Sequence, residues 1–201
     1  MFPTGSFDRM KSELWFREYE KCTDIPITVG ILIADYRRRF CKENVINQIE
    51  RLDKKSGPLI NFYIPGYCKT AEIDEVYLED FRFKGKSYSF SVEYYNEFIE
   101  KLEKMGVEVT GRTQFLLIPY ENNKLQVNQA LCFDLENDEN KSKIVSTKLF
   151  FDSIFEISKE TTQFEVFKRK IAQERVSAGV IRFLKENLPN TVLSLILSSL
   201  K

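Results

Sequence analysis

Residues 26–36 read PITVGILIADY and residues 57–67 read GPLINFYIPGY. Ile27 to Ala34 is a short, nearly continuous apolar run rich in β-branched side chains, the pattern of a strand buried on both faces. Leu59 to Ile64 is a second such run. Between them, Arg37 to Lys55 is charged but carries Phe40, Val45, Ile46, Ile49 and Leu52 at close to helical spacing. Strand, helix, strand is a parallel crossover, and such units place helices against a buried sheet. The stretch therefore predicts an α/β (or α+β) fold.

Outward from this unit, the chain of 201 residues has the size of one large domain. Hydrophobic residues make up 43% and charged residues 30%, the balance of an ordinary globular protein. Thirty basic residues face thirty acidic ones, so no net field draws the chain to nucleic acid. The seventeen Phe and nine Tyr are expected mainly in the core and on half-buried sheet faces. Histidine is absent, which excludes a Ser-His-Asp or Cys-His catalyst, a mixed Cys/His zinc site and an imidazole base. Cysteines stand at 22, 41, 68 and 132 with no C-x-x-C pair, so no metal site is expected. Met1 to Cys22 is polar and charged, unlike a secretory signal, and the thiols are read as reduced in a cytoplasmic protein. Cys68 is expected in a loop beside Tyr67 and Lys69, where an ammonium would favour the thiolate.

Asp8 to Lys21 is expected to be a helix, with Met10, Leu14, Trp15 and Tyr19 on its stripe and Trp15 as a core anchor. Lys84-Gly85 is expected to turn a hairpin between Glu75–Phe83 and Lys86–Phe90. Val92 to Met105 is the clearest helix, with Ser91 as N-cap and Gly106 just past its end. Gln114 to Pro119 is a strand, Glu121 to Lys124 a turn, and Leu125 to Leu135 the second arm of a hairpin, so the sheet is mixed. Glu136 to Lys143 reads as an exposed loop. Beyond it, Ile144–Ile157, Thr161–Glu186 and Thr191–Leu200 read as helices. The organisation expected is an α/β domain over 1–140 and a helical segment over 141–201 that packs on it or serves assembly. The last apolar segment is shorter than the ~20 residues a membrane span requires, so no membrane is expected.

In open α/β sheets, ligands bind beyond the carboxyl ends of the parallel strands. After the first strand come Asp35, Tyr36, Arg37, Arg38 and Arg39; after the second come Gly66, Tyr67, Cys68, Lys69 and Thr70. If the strand at 114–118 is parallel as well, Tyr120 and Glu121 join them. Arginines at a helix start oppose the macrodipole, which points either to an anion or to a helix capped by Asp35 whose arginines pair with Glu43 or the acids near 72–80. No phosphate-binding glycine loop is present, so a nucleotide would rely on Arg and Tyr: bidentate pairing with phosphate and stacking on the base. Asp35, Tyr36, Arg37, Arg38, Tyr67 and Lys69 are the ligand-binding candidates. Asp35, Glu79, Asp80 and Lys84 hold the residue types of a metal-dependent nuclease, but their spacing fits a solvated acidic face better.

Two resemblances add context. Ser91, Glu93, the helix to Met105 and the strand at 114–118 resemble the later half of Toll-receptor-type (TIR) domains. There a catalytic Glu on a helix precedes a strand, and the family cleaves NAD or builds nucleotide signals from it; the resemblance would give that role to Glu93. The aromatic-Cys pair that precedes this Glu in the family is absent, and the hairpin near 75–90 has no place in that fold. VGILIADYR at 29–37 and SGPLINFYIPGY at 56–67 look like a group of bacterial proteins that accompany phage-defence-type gene clusters. Two functions follow as expectations. One is a cytoplasmic protein-interaction or regulatory component of a multi-component bacterial system, meeting a protein partner or its own copies through the C-terminal helices. The other is a small nucleotide-binding sensor, or a nucleotide- or NAD-processing enzyme, with its site at the strand ends.

Overall fold

The computed structural model describes residues 2–21, 27–56, 60–70, 81–141, 144, 146–161 and 163–173. Within them the main sheet runs in the order β1-β3-β2-β7-β8, with β9 also on β7. Its strands are β1 (Phe2–Thr4), β2 (Ile27–Ile33), β3 (Ile60–Pro65), β7 (Gln114–Glu121), β8 (Lys124–Leu125) and β9 (Leu131–Asp134). A smaller antiparallel sheet orders β4 (Tyr67–Lys69), β6 (Lys86–Phe90) and β5 (Phe81–Phe83). β1, β3 and β2 are parallel, so the crossover expected from 26–67 is present; β7 is antiparallel to β2 and makes the sheet mixed.

Parallel β2 and β3 are apolar on both faces because both faces are covered. On one face, Phe62 of β3 and Phe115 of β7 stack at 5.3 Å and meet Phe151 of α6 (Thr147–Glu160) at 6.4 and 5.1 Å. Gly30 leaves room for them: a Cβ there would lie 3.1 Å from both the Phe62 and the Phe115 rings. On the other face lie α1 (Phe7–Lys21) and α4 (Val92–Lys104), joined by Phe7 edge-on to Phe98 at 5.1 Å. Gly66 ties the three layers together. Its N–H donates to Thr4 O, its carbonyl accepts from Ser91 N, and its φ of +83° suits glycine alone. A Cβ would also strike Tyr95 and Phe90. Ser91 caps α4, accepting from Tyr94 N at 3.3 Å, as expected.

Several expectations are corrected. The crossover is not one helix but α2 (Arg39–Asn44), a 3-10 turn (Ile46–Gln48) and α3 (Ile49–Ser56). Asn44 donates its side-chain amide to Phe40 O, and Val45 turns to φ −120° and ψ −65°; Asn and Val are poor residues for a helix interior. Trp15 is 46% exposed rather than a core anchor, because Met10 and Leu14 already fill that face of α1. Residues 135–140 form a short helix, α5 (Leu135–Asn140), where a loop was expected. Asp134 caps it by accepting from Asn137 N, and Leu135 is buried beneath it. The hairpin at Lys84-Gly85 is present, with φ of 50° and 71° at the two turn residues. The expected helix Thr191–Leu200 and the acidic stretch at 72–80 lie outside the described residues.

Candidate functional site

The site builds from Ile33, where β2 ends. Two residues on, Asp35 folds back: its Oδ1 accepts from Arg37 N at 2.9 Å, and its carboxylate takes the Arg37 guanidinium through Nε at 2.9 Å and Nη2 at 2.6 Å. Burial alone would raise the Asp35 carboxyl, but these Arg37 bonds and charges outweigh it and hold the group below its ordinary value. Arg37 also lies 5.8 Å over the Phe90 ring. Arg38 reaches across to Glu136 Oε2 at 2.9 Å, and Arg39 pairs with Glu43 at 2.8 Å. Each arginine of the run is thus matched to a carboxylate of the same chain, which explains basic residues at a helix start without any ligand.

Tyr67 is fully buried: its hydroxyl donates to Ala34 O at 2.9 Å, and its ring packs on Phe81 and Phe90. Cys41 lies behind it, and burial pushes that thiol up to about 12. The phenol of Tyr95 is likewise pushed up to about 12, by burial first and by the charge of Asp35 second. Both stay protonated at neutral pH. Cys68 is on β4 and buried, not in a loop, so the expectation of a loop thiol is corrected; it pairs with Ser89 of β6. Lys69 ends that strand, half-buried, opposite Tyr88.

Tyr36 has a different setting. With Lys42, Ile46, Asn47, Ile49, Glu50, Phe81 and Arg82 it lines a cavity of about 270 Å³, so one carboxylate stands among its cations. The break at Val45 is what turns Ile46 and Asn47 towards it. The Lys42 ammonium stands 4.9 Å over the Tyr36 ring and has no carboxylate within ion-pair distance among the described residues. Opposite, Phe81 stacks on Tyr88 at 5.5 Å with ring planes only 13° apart. Lys42, Phe81 and Arg82 were not among the candidates. Phe81 and Arg82 arrive from a separate sheet, and nothing in the local sequence links them to Tyr36.

Because β7 is antiparallel to β2, Tyr120 pairs with Ile27 at the far end of the sheet; Tyr120 and Glu121 therefore leave the strand-end group. In their place come Gln114, which pairs with Ile33, and Asp134, which pairs with Gln114. Here a second cavity of about 400 Å³ opens beside Glu108, Gln114, Val127, Ala130, Cys132 and Asn137. Gln114 is 1% exposed and held in place: its Oε1 accepts from Thr110 N at 2.8 Å and its Nε2 donates to Glu108 O and Cys132 Sγ at 3.3 and 3.4 Å. Asp134 is bound by Arg112 at 2.6 Å.

Glu93, the residue singled out by the TIR resemblance, is exposed in the first turn of α4, where a carboxylate complements the helix dipole. Of the nuclease set, Asp35 holds Arg37 and Lys84 pairs with Asp53 at 2.9 Å; Glu79 and Asp80 lie outside the described residues. Among the described residues no three acidic or sulfur ligands come together as a metal would need, and no helix is long and apolar enough to cross a membrane. No known family pattern, curated protein or solved structure matches the chain.

Proposed function

We propose that this chain is a regulatory module that senses a small aromatic anion of the nucleotide class, held between Tyr36 and Phe81. The observation that carries this is the contrast among cations at the end of β2. Arg37, Arg38 and Arg39 pair with Asp35, Glu136 and Glu43, whereas Lys42 has no carboxylate partner among the described residues and stands over the Tyr36 ring at a cavity where Lys42 and Arg82 outnumber the one carboxylate, Glu50. A base stacks on such rings regardless of its identity, and an ammonium takes a phosphate as a point charge. The cavity is built by α2, the 3-10 turn and α3, and α3 is tied to α6 by Arg51 and Lys55, both bonded to Asp152. A ligand drawing on Asn47 and Lys42 would therefore bias the seating of α3 on α6, to the extent that it binds one seating better than the other. That supplies an output path to the C-terminal part of the chain.

A thermal-shift series with ATP, NAD and a nucleoside lacking phosphate tests this. A ligand at 100 times its dissociation constant stabilises by about 2.7 kcal/mol, a readable shift. ATP is expected to stabilise and the nucleoside to do so less. A flat response to all three on folded protein would overturn the proposal.

A second function draws on a separate observation: Trp15 and Phe16 sit side by side on α1, 46% and 57% exposed, with ring centroids 5.1 Å apart. Adjacent exposed aromatics are what a protein interface uses as anchors. This fits an interaction component of a bacterial multi-component system, with the phage-defence setting resting on the resemblance of residues 29–37 and 56–67. Trp15→Ser with Phe16→Ser should abolish any self-association seen by size-exclusion mass measurement; unchanged association would remove α1 from the interface.

A further inference from the structure

The second cavity carries an inference of its own, independent of the nucleotide proposal. At about 400 Å³ it falls in the size range of small-molecule sites. It is a cleft in the sheet face, because the segment after α4 crosses over β7 and β9 without filling the space between them. Gly106, Val107, Glu108 and Thr110 form one side of it, and the 3-10 turn Val127–Gln129 with Ala130 forms the other. Its floor is rigid: Leu116 is fully buried, and the buried Gln114 amide is held by three hydrogen bonds. A cavity whose floor is locked in place costs a ligand little reorganisation.

The lining also selects chemistry. Val127, Ala130 and the exposed Cys132 offer an apolar strip. Glu108, Asp134 and Asp138 are its acidic residues, and no Lys or Arg lines it among the described residues. Asp134 is itself engaged by Arg112. The Glu108 carboxylate makes neither ion pair nor hydrogen bond among the described residues, and the Asn137 side chain makes no hydrogen bond among them either. The local field registers at Cys132, whose thiol is raised by burial and further by Asp134, Glu108 and Asp138. The thiol therefore stays neutral and acts as part of the wall rather than as a nucleophile.

We infer that this cavity binds a small primary amine with a short apolar body, its ammonium at Glu108 and Asn137 and its hydrocarbon along Val127, Ala130 and Cys132. Anions are disfavoured by the same carboxylates. The two cavities at the end of β2 then take ligands of opposite charge.

The test is amide NMR of the full chain titrated with n-pentylamine and, separately, with pentanoate, the anion of the same length. Pentylamine is expected to give saturable shifts centred on Leu116, Cys132 and Asn137, and pentanoate none there. Glu108→Gln should weaken the apparent dissociation constant about tenfold, the loss of one charge-assisted contact. Ala130→Leu, which fills the cavity, should abolish the shifts while leaving the rest of the spectrum in place. The inference is overturned if neither probe shifts these amides, if both shift them equally, or if Ala130→Leu binds as tightly as wild type.

Discussion

Two cavities open from the same point of the sheet and differ in almost every respect. One follows Ile33 in sequence, through Tyr36 and Lys42, and is walled by the rings of Tyr36 and Phe81 with cations at Lys42 and Arg82 and one carboxylate, Glu50. The other follows Ile33 across the sheet, through its partner Gln114, and is lined by Val127, Ala130 and Cys132 with the acids Glu108, Asp134 and Asp138. The difference comes from how each wall is made. The first is made by a break in the crossover helix and by a second small sheet, so its walls come from elements that no single hydrogen-bonded sheet joins. The second is cut into the face of two paired strands and is as rigid as the sheet. The first suits a sensor and the second a fixed pocket.

Between them lies a stretch that resembles a binding site in sequence and whose charged groups the fold pairs within the chain. Asp35 and Arg37 form a closed pair, Arg38 holds Glu136 through Nη2 while its buried Nε has no partner among the described residues, and Tyr67 is a buried strut. The distinction between committed and uncommitted polar groups separates the scaffold from the sites, and it can be broken experimentally.

The largest effect is expected from the scaffold both cavities share. Phe151→Ala removes the ring that packs on Phe62, Phe115 and Phe155, and truncations of this kind cost about 3–5 kcal/mol. Urea unfolding should show that loss, and ligand responses at both cavities should weaken together. If only one weakened, the cavities would not share a core. Next, Asp152→Asn strips the shared partner of Arg51 and Lys55. It should lower stability by about 1 kcal/mol and, more tellingly, reduce the coupling between the Tyr36 cavity and α6 without touching the Glu108 cavity. Fluorescence or NMR reporters on α6 would register it.

Smaller again is the effect of Tyr67→Phe, which removes the hydrogen bond to Ala34 O and should cost about 1 kcal/mol with no change in nucleotide response. A loss of response at unchanged stability would make Tyr67 part of the site. The pH dependence is the finest probe. Asp35 is held below its ordinary value of 3.8, so its pairing stabilises the fold fully above that value and is lost as pH falls through the lower folded value. Acid unfolding below pH 3.8 should therefore be gentler in Asp35→Asn than in wild type. An identical acid profile would mean that the Arg37 pair contributes nothing.

These sites were unequally legible from sequence. The crossover β2–β3, the Ser91 cap and the Lys84-Gly85 hairpin were readable because their signals are local: apolar runs, a capping side chain, a turn pair. The direction of β7 was not, because a strand buried on both faces has the same pattern whichever way it runs. That one ambiguity decided whether Tyr120 or Gln114 stood beside Ile33. α5 was hidden by its composition: LENDEN has the look of a loop, and only the Asp134 cap and the buried Leu135 betray a helix. Trp15 was misplaced because an apolar stripe wider than the sheet can cover leaves its edge in water. Tyr36 follows β2 directly in sequence, but Phe81 and Arg82 reach its cavity from a different sheet, a distance no spacing rule spans.

The most direct test of the central claim is an ATP thermal-shift titration on wild type, Lys42→Ala and Arg39→Ala. The uncommitted Lys42, rather than the paired arginines, is held to receive the anion. Wild type and Arg39→Ala should then show the same saturable stabilisation, while Lys42→Ala keeps its melting temperature and loses the response. A full response in Lys42→Ala, or none in wild type, would contradict the account.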